Sequence, residues 1–265
     1  MWPTRKGIIA LALCIATLSA SAGEALTAYT EEWRPFNFMN ESNEVDGFTT
    51  AIVRKIAGDL DTRTDIQLVP WSRALDSTQR NKNSLIYSIY RVPERESLFK
   101  WVGPIYQVDT VLWGIQDRDL PIKNVEDAKK FRITVQANSA YAIALENLGF
   151  NKDKLILDYA QTDIKMVLRQ QADLVPLSIF SIGKLNAQAL EFSQSPRGKS
   201  GPAVQWKAYA LLSTANLYLA FNKETPDEVI AAWQSELNKL KKTALFRSLE
   251  KTHISPLLNE ARGIR

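Results

Sequence analysis

Short apolar runs alternate with stretches of helical periodicity along this chain, and that alternation limits the possible folds more than any other feature. The first apolar runs lie at 26–32, 64–71 and 84–90, and amphipathic segments at 47–60 and 72–81 separate them. Strands that alternate with helices at this spacing form a mainly parallel sheet with helices on both faces. The sequence therefore predicts an α/β fold.

A second series with the same alternation follows the first. Its predicted elements are, in order, a helix at 123–131, a strand at 132–138, a helix at 139–149, a strand at 154–160, a helix at 162–171 and a strand at 172–178. Pro176 predicts that the last strand lies at a sheet edge or ends early, because proline cannot donate to a ladder. Two such series in 265 residues indicate two modest domains with separate cores.

Helix-capping residues mark several boundaries. Ser72, Asn124 and Thr162 each precede a helical segment and are predicted N-caps. Near the end of the chain, Thr225 is predicted as a cap with Pro226 in the first turn and a capping-box glutamate, Glu228, three residues after the cap. This helix follows a turn-rich loop at 194–202 and an apolar run at 208–222, which indicates a return of the chain to the first domain.

The N-terminus has the pattern of a cleaved secretory signal peptide, predicted over 1–25. Arg5 and Lys6 precede an apolar run at 7–18, and small residues follow it. Cys14 is the single cysteine and lies in this segment, so the mature chain has no disulfide, thiolate nucleophile or cysteine metal ligand. Removal of two basic residues and one acidic residue changes the net charge from +4 to +3, an excess too small to indicate nucleic-acid binding.

Two arginines follow the apolar run at 84–90. Arg91 and Arg95 stand on either side of Pro93, before an aromatic and glycine-proline stretch. A guanidinium group matches a carboxylate with two parallel hydrogen bonds, and open α/β sheets bind ligands beyond the carboxyl ends of their strands. Either arginine could instead pair at the surface with Glu94 or Glu96.

Several segments, in their order and spacing, resemble the periplasmic solute-binding proteins of the polar amino-acid transport type. The segments that carry the resemblance are 31–38 (EEWRPFNF), 46–57 (DGFTTAIVRKIA), 69–75 (VPWSRAL), 91–106 (RVPERESLFKWVGPIY), 124–140 (NVEDAKKFRITVQANSA) and 167–178 (VLRQQADLVPLS). Each match is short, and together they span almost the whole mature chain.

The resemblance implies a two-lobe periplasmic binding protein of type II, each lobe a mainly parallel sheet flanked by helices. We place lobe 1 at 26–112 and 217–265 and lobe 2 at 113–216, joined by a two-segment hinge. A monomer of this kind captures a small polar ligand, an amino acid or related carboxylate, and delivers it to the membrane permease of an ABC transporter. The resemblance implies no metal, no cofactor and no enzymatic activity.

It also implies a set of ligand-binding residues. Arg95 corresponds to an arginine that binds the ligand carboxylate, and Trp33, Phe36 and Trp71 correspond to rings that flank the ligand. Ser139, at a predicted helix start, would meet the carboxylate from the second lobe. The alternatives are core packing for the aromatic residues and a simple N-cap for the serine.

Some positions depart from the family pattern. Ser88, Tyr90 and Val92 stand where the family commonly has glycine and two threonines, so Tyr90 brings a phenol to the site. Ser178 aligns with an aspartate that normally pairs with the α-ammonium of the ligand, and a neutral hydroxyl does not neutralise an ammonium in a dry cleft.

The departure at Ser178 leaves two possibilities. Either another carboxylate, such as Glu32 or Asp158, replaces the aspartate, or the ligand is not an ordinary α-amino acid.

Two other functions compete with transport. A free-standing periplasmic sensor would use the same two-lobe clamp and present its ligand to a receptor. An enzyme is the weaker alternative, because His253 is the single histidine and the sequence contains no nucleophile elbow, zinc helix, P-loop or calcium loop.

Overall fold

A computed structural model describes residues 25–195 and 204–262, with side chains as far as Leu258. The predicted signal peptide and most of the predicted loop at 194–202 lie outside the described residues. None of the helices in the described part of the chain is long and apolar enough to cross a membrane.

Strands and helices alternate as predicted. The strands are β1 Leu26–Thr30, β2 Phe38–Met39, β3 Val45–Asp46, β4 Thr64–Leu68, β5 Ser84–Tyr90, β6 Phe99–Val102, β7 Gln107–Ile115, β8 Ile133–Gln136, β9 Leu155–Asp158, β10 Val175–Ser178 and β11 Trp206–Asn222. The α-helices are α1 Phe48–Asp59, α2 Trp71–Arg80, α3 Val125–Ala128, α4 Ala140–Asn147, α5 Asp163–Leu168, α6 Ile182–Ser193, α7 Asp227–Leu240, α8 Ala244–Leu249 and α9 Ser255–Arg262. A short 3₁₀ turn, Pro93–Arg95, follows β5, and a π-helical turn, Glu250–Ile254, joins α8 to α9.

The strands pair in parallel where helices connect them and antiparallel elsewhere. β1 lies between β4 and β5 and is parallel to both, and β8 is parallel to β9. β11 is antiparallel to β5, β6 and β7, and β7 is antiparallel to β10. The largest sheet has seven strands in the order β10-β7-β11-β5-β1-β4, with β6 also paired to β11, and it is mixed because β11 runs against its neighbours. β2 and β3 form a separate antiparallel pair, and β8 and β9 a separate parallel pair.

The 17-residue strand β11 joins two parts of the seven-stranded sheet, called here the first sheet (β1, β4, β5 and β6) and the second sheet (β7 and β10). Its first part pairs with β7 as far as Asn216, and its second part pairs with β5 and β6 from Leu217 onward. We propose that the second crossing between lobes lies at this point. We propose that the first crossing lies at 103–106, between β6 and β7, which is earlier than the predicted boundary after Leu112, because the whole of β7 pairs with the first part of β11.

The predicted caps have different outcomes. Asn124 is confirmed, since its side chain accepts a hydrogen bond from the Asp127 amide. Thr162 occupies the N-cap position of α5, but its hydroxyl bonds to Asp158 instead of capping the helix. The predictions for Ser72 and Thr225 are wrong, because Pro70 and Pro226 occupy the N-cap positions of α2 and α7.

The predicted edge position of Pro176 agrees with the sheet order. β10 pairs with β7 on one side, and on its other side a single bridge between Leu174 and Ile133 leads to β8. The missing amide hydrogen of Pro176 is accommodated at this discontinuity.

Asp173 connects the segments next to three strands: it precedes β10, and its partners follow β7 and precede β8. It is 6% exposed and accepts hydrogen bonds from the Arg118 side chain and from the amide and side chain of Arg132. Burial alone would raise the pKa of this carboxyl, but the bonds from Arg132 and Arg118 outweigh it and hold the pKa below its ordinary value. The ionised form of Asp173 therefore stabilises the region where β7 ends and β8 and β10 begin.

We expect Asp173→Asn to lower the free energy of unfolding by about 2 kcal/mol at neutral pH, less than a fully buried pair because both arginines stay partly exposed. Since the folded-state pKa is lowered, this stability is present above the ordinary pKa of 3.8 and is lost as the pH falls below it. Urea unfolding of both proteins at neutral and acidic pH measures the difference, which should shrink in acid.

The control is Asp76→Asn, which removes an exposed pair with Arg80 one helical turn away. It should cost no more than about 0.5 kcal/mol. Equal losses in the two variants would contradict the structural role of Asp173.

Candidate ligand-binding site

A cavity of about 600 Å³ lies beyond the carboxyl ends of several parallel strands. One wall follows β1, β4 and β5, and the opposite wall follows β8 and β9 and includes the start of α6. Loops at this end of an α/β sheet are where ligands usually bind. The main polar and aromatic residues of the lining are Glu31, Glu32, Trp33, Trp71, Ser88, Tyr90, Arg95, Gln136, Ser139, Tyr141, Asp163 and Lys184.

Arg95 lines this cavity and is only 4% exposed. Its Nη1 donates to the Tyr90 carbonyl at 3.3 Å, and its Nη2 donates to the Asn138 carbonyl at 2.9 Å. The guanidinium carbon lies 4.9 Å from the centre of the Trp71 ring, which adds a cation–π contact. Of five guanidinium N–H donors, two are used, so three have no partner among the described residues.

Burial lowers the pKa of Arg95 to about 10, and the neighbouring Glu94 and Glu31 carboxyls oppose this shift. The guanidinium therefore stays charged at neutral pH. No ion pair of the described residues includes Arg95, so its charge is held near the cavity without a carboxylate at salt-bridge distance.

Arg91 lies outside the cavity lining. Its guanidinium forms a salt bridge with Glu96 at the surface, with Nε 2.9 Å from a carboxylate oxygen. The same group lies 5.6 Å from the ring centres of Trp101 and Tyr218. The structure thus separates the two arginines: Arg95, which the resemblance matched to a carboxylate-binding arginine, lines the cavity, and Arg91 pairs with Glu96 at the surface.

Two of the three predicted aromatic residues line the cavity. Trp33 donates from Nε1 to Ser178 Oγ at 3.2 Å, and Trp71 donates from Nε1 to the Asn138 carbonyl at 3.2 Å. Phe36 is fully buried beneath Trp33, within an aromatic cluster, and does not line the cavity.

Three hydroxyl residues face the cavity in different states. Ser139 caps α4 by accepting from the Ala142 amide. Burial raises the pKa of Tyr90 to about 12, so its phenol stays neutral. Ser88 is 4% exposed with φ of 59°, and its Oγ has no partner among the described residues. A buried hydroxyl without a partner is a favourable place for a ligand to hydrogen-bond.

Ser178 does not line the cavity. It is fully buried at the end of β10, where its hydroxyl bonds to Trp33 and Ser181. The two carboxylates suggested as substitutes are also engaged elsewhere. Glu32 lies at the exposed rim, where it accepts from the Met39 amide, and Asp158 accepts from the backbone amides that start α5.

Sequence reasoning missed four charged residues of the lining: Glu31, Arg34, Asp163 and Lys184. Burial raises the pKa of Glu31 to about 7, and the Lys184 charge and a hydrogen bond with Gln136 oppose the shift. Burial likewise raises the pKa of Asp163 above its ordinary value, again opposed by Lys184. Their positions carried a signal, because Glu31 directly follows β1 and Asp163 opens α5 after β9.

Within the described residues there is no group of three or more histidine, cysteine, aspartate or glutamate side chains that could hold a metal ion. The lining offers hydrogen bonds, charges and aromatic faces. Such a set binds an organic ligand by complementarity.

The chain is similar in fold to several solved structures. A histidine kinase sensor domain with similarity to periplasmic binding proteins matches with a TM-score of 0.73 at 13% identity, over 87% of this chain and 96% of that one. A putative L-cystine ABC transporter from Listeria monocytogenes matches with a TM-score of 0.70 at 16% identity, over 87% and 96%. An ancestral arginine-binding protein bound to arginine matches with a TM-score of 0.67 at 18% identity, over 87% and 98%.

At these identities the likeness shows the fold, which is the α/β periplasmic binding protein fold of type II. A search among curated proteins returned no match. The model of one protein family matches residues 26–256, nearly all of the described chain. With that match, the chain belongs to the bacterial extracellular solute-binding proteins, family 3.

Proposed function

We propose that this protein captures a small carboxylate-bearing ligand, an amino acid or a related metabolite, in the cavity between its two lobes. The protein would be exported by the signal peptide predicted at 1–25 and act in the periplasm. It would deliver the ligand to the permease of an ABC transporter.

Arg95 is the observation that carries this proposal. The Arg95 guanidinium is 4% exposed and has no carboxylate at salt-bridge distance, so its desolvation is poorly compensated. Binding of an anion would therefore stabilise it. Its two hydrogen bonds go to backbone carbonyls, which leaves donors for a ligand carboxylate. Bidentate carboxylate binding is the interaction for which this planar group is best suited.

The size and lining of the cavity support a small ligand. A volume of about 600 Å³ lies within the usual range of small-molecule sites. Trp33 and Trp71 offer flat apolar faces, and Ser88 and Ser139 offer hydroxyls. Binding of arginine by one protein of the same fold is consistent with an amino-acid ligand here.

Three hydrogen bonds cross between the proposed lobes beside the cavity. Arg95 and Trp71 both donate to the carbonyl of Asn138, and Trp33 donates to Ser178. Arg95, Trp71 and Trp33, the proposed ligand-binding residues of lobe 1, thus also form the hydrogen bonds to lobe 2. Ligand binding would favour this closed arrangement through contacts to both lobes.

A sensor that presents its ligand to a receptor remains the second candidate, because the same clamp serves both functions and a kinase sensor domain has the same fold. Uptake of a bound ligand by vesicles that contain the candidate permease and ATP would distinguish transport from sensing.

We expect Arg95→Lys to weaken binding of a carboxylate ligand by roughly tenfold or more. Lysine keeps the positive charge but cannot form the two parallel hydrogen bonds that a guanidinium group makes with a carboxylate. Arg95→Ala should cost more, about 2–5 kcal/mol. A thermal-shift screen of amino acids, short peptides, dicarboxylates and uncharged metabolites against wild type and Arg95→Ala measures the effect.

Arg91→Ala is the matched control, since Arg91 comes from the same segment and pairs with Glu96 at the surface. Its ligand shifts should equal those of the wild type. A best hit that lacks a carboxylate and stabilises wild type and Arg95→Ala equally would overturn the role assigned to Arg95.

We also expect a tight ligand to reduce the radius of gyration in small-angle X-ray scattering, because it adds contacts that exist only when the lobes are together. Trp71→Phe removes the hydrogen bond from the indole Nε1 to the Asn138 carbonyl and keeps an aromatic ring at this position. The variant should therefore need more ligand to reach the same compaction. The absence of any compaction in the wild type with a tight ligand would refute closure of the lobes.

A further inference from the structure

The last helical segment of the described chain changes its geometry in the middle. Helix α8 is followed by the π-helical turn Glu250–Ile254, and α9 continues directly from that turn. π-helical turns are rare, and they often occur at functional sites. Because such a turn contains an extra residue, it changes which side chains of the following helix face the rest of the protein.

Helix α8 and the π-helical turn are fixed to proposed lobe 1. Phe246 of α8 is buried and packs edge-on against Phe48 of α1, with ring centres 5.5 Å apart. Ile254, the last residue of the turn, is also buried and belongs to the main hydrophobic core. The segment before α9 is therefore held by apolar contacts.

Helix α9 reaches a segment of proposed lobe 2. It contacts the buried 3₁₀ turn Ile179–Ser181, which follows β10. Leu257 and Leu258 of α9 are half-buried and pack against the main core. Phe180 of the 3₁₀ turn also packs edge-on against Phe36 of lobe 1, with ring centres 5.5 Å apart. The helix therefore meets lobe 2 where the two lobes are already in contact.

Leu257 is also part of the wall of the ligand cavity. Of the described residues that follow β11, it alone lines this cavity. Phe180 and Ser181 of the 3₁₀ turn that α9 contacts line the same cavity. One side chain of α9 thus belongs both to a contact between the lobes and to the space that a ligand would occupy.

We propose that α9 forms a third, non-covalent connection between the lobes, in addition to the two crossings of the chain, and that Leu257 limits the size of the ligand that the closed cavity accepts. The second part rests on the proposed function, since it concerns the ligand. The first part concerns the protein without a ligand and can be tested separately.

The connection has the strength of a modest bias. The stabilisation gained by burying apolar side chains grows with the area removed from water, and Leu257 and Leu258 are only half-buried. Contacts of this size shift the balance between closed and open forms without preventing the lobes from separating.

Distances between two spin labels test the connection in the ligand-free protein. The chain that remains after the predicted cleavage has no cysteine, so Gln79→Cys in α2 and Glu146→Cys in α4 place one label at an exposed position of each proposed lobe. We expect Leu257→Ala to increase the population at long distances by roughly threefold, because alanine buries less apolar surface.

Leu245→Ala is the matched control for the distances. Leu245 lies in α8, on the same helical segment, and is 42% exposed. The substitution removes the same atoms and should leave the distance distribution of the wild type unchanged. Identical distributions in Leu257→Ala and Leu245→Ala would overturn the connection.

Straight-chain amino acids of increasing length test the role of Leu257 in ligand selection. The probes are L-alanine, L-norvaline, L-norleucine and L-2-aminooctanoate, and each offers a carboxylate to Arg95. Leu257→Ala should improve the affinity for the longest probe relative to the shortest by about tenfold, because the cavity gains space. Leu257→Trp fills that space and should change the same ratio by about tenfold in the opposite direction.

Leu258→Ala is the matched control for selectivity. Leu258 is the next residue of α9 and is half-buried, but it does not line the cavity. The variant should keep the affinity ratio of the wild type. The same change of ratio in Leu258→Ala as in Leu257→Ala would show that weaker packing of α9 alters selectivity, and would overturn the role of the Leu257 side chain.

The outcomes separate this inference from the proposed function. An unchanged ratio in both Leu257 variants, with the probes still bound by the wild type, would overturn the role of Leu257 and leave the proposed function intact. If neither this series nor the wider screen contains a carboxylate that binds, the proposed function and the role of Leu257 in selection fall together. The distance measurement then decides the connection between the lobes by itself.

Discussion

A guanidinium group held out of water without a carboxylate is costly, and much of the fold around the cavity supports that one group. All seven residues of β5 are buried, and the strand lies between β1 and β11 inside the first sheet. The 3₁₀ turn that starts at Pro93 then directs Arg95 back over the strand end. Backbone carbonyls and the Trp71 ring partly replace the lost water, but none of them carries a negative charge.

The contacts of Arg95 also connect the cavity to the loop before α4. The carbonyl of Asn138 accepts hydrogen bonds from both Arg95 and Trp71, and Asn138 itself has φ of 58°. This residue directly precedes Ser139, the cap of α4. The loop that begins α4 is therefore positioned by the first sheet as well as by β8, which precedes it, and a ligand at Arg95 lies beside this junction.

The sequence predicted the order of strands and helices because periodicity is a local property, and the structure confirms it in both series. It also indicated that Arg95 and Trp71 lie near strand ends, and both line the cavity. It did not reveal that Phe36 and Ser178 face inward, because that depends on packing across the lobes. Nor did it single out Glu31 over Glu32: both line the cavity, and only the fold shows that Glu31 is half-buried whereas Glu32 stays exposed at the rim.

The charges of the cavity also bear on the proposed closure of the two lobes. With the lobes together, Arg95, Glu31 and Asp163 are all partly or largely removed from water, and each loses hydration that no other protein charge replaces in full. If the proposed lobes separate, water would return to these groups, and the better hydration would favour the open form of the free protein. A carboxylate ligand of the kind proposed would reverse the balance, because it would supply Arg95 with the missing anionic partner while both walls of the cavity are in place. The desolvation that weakens the empty closed form is thus the term through which a ligand selects it.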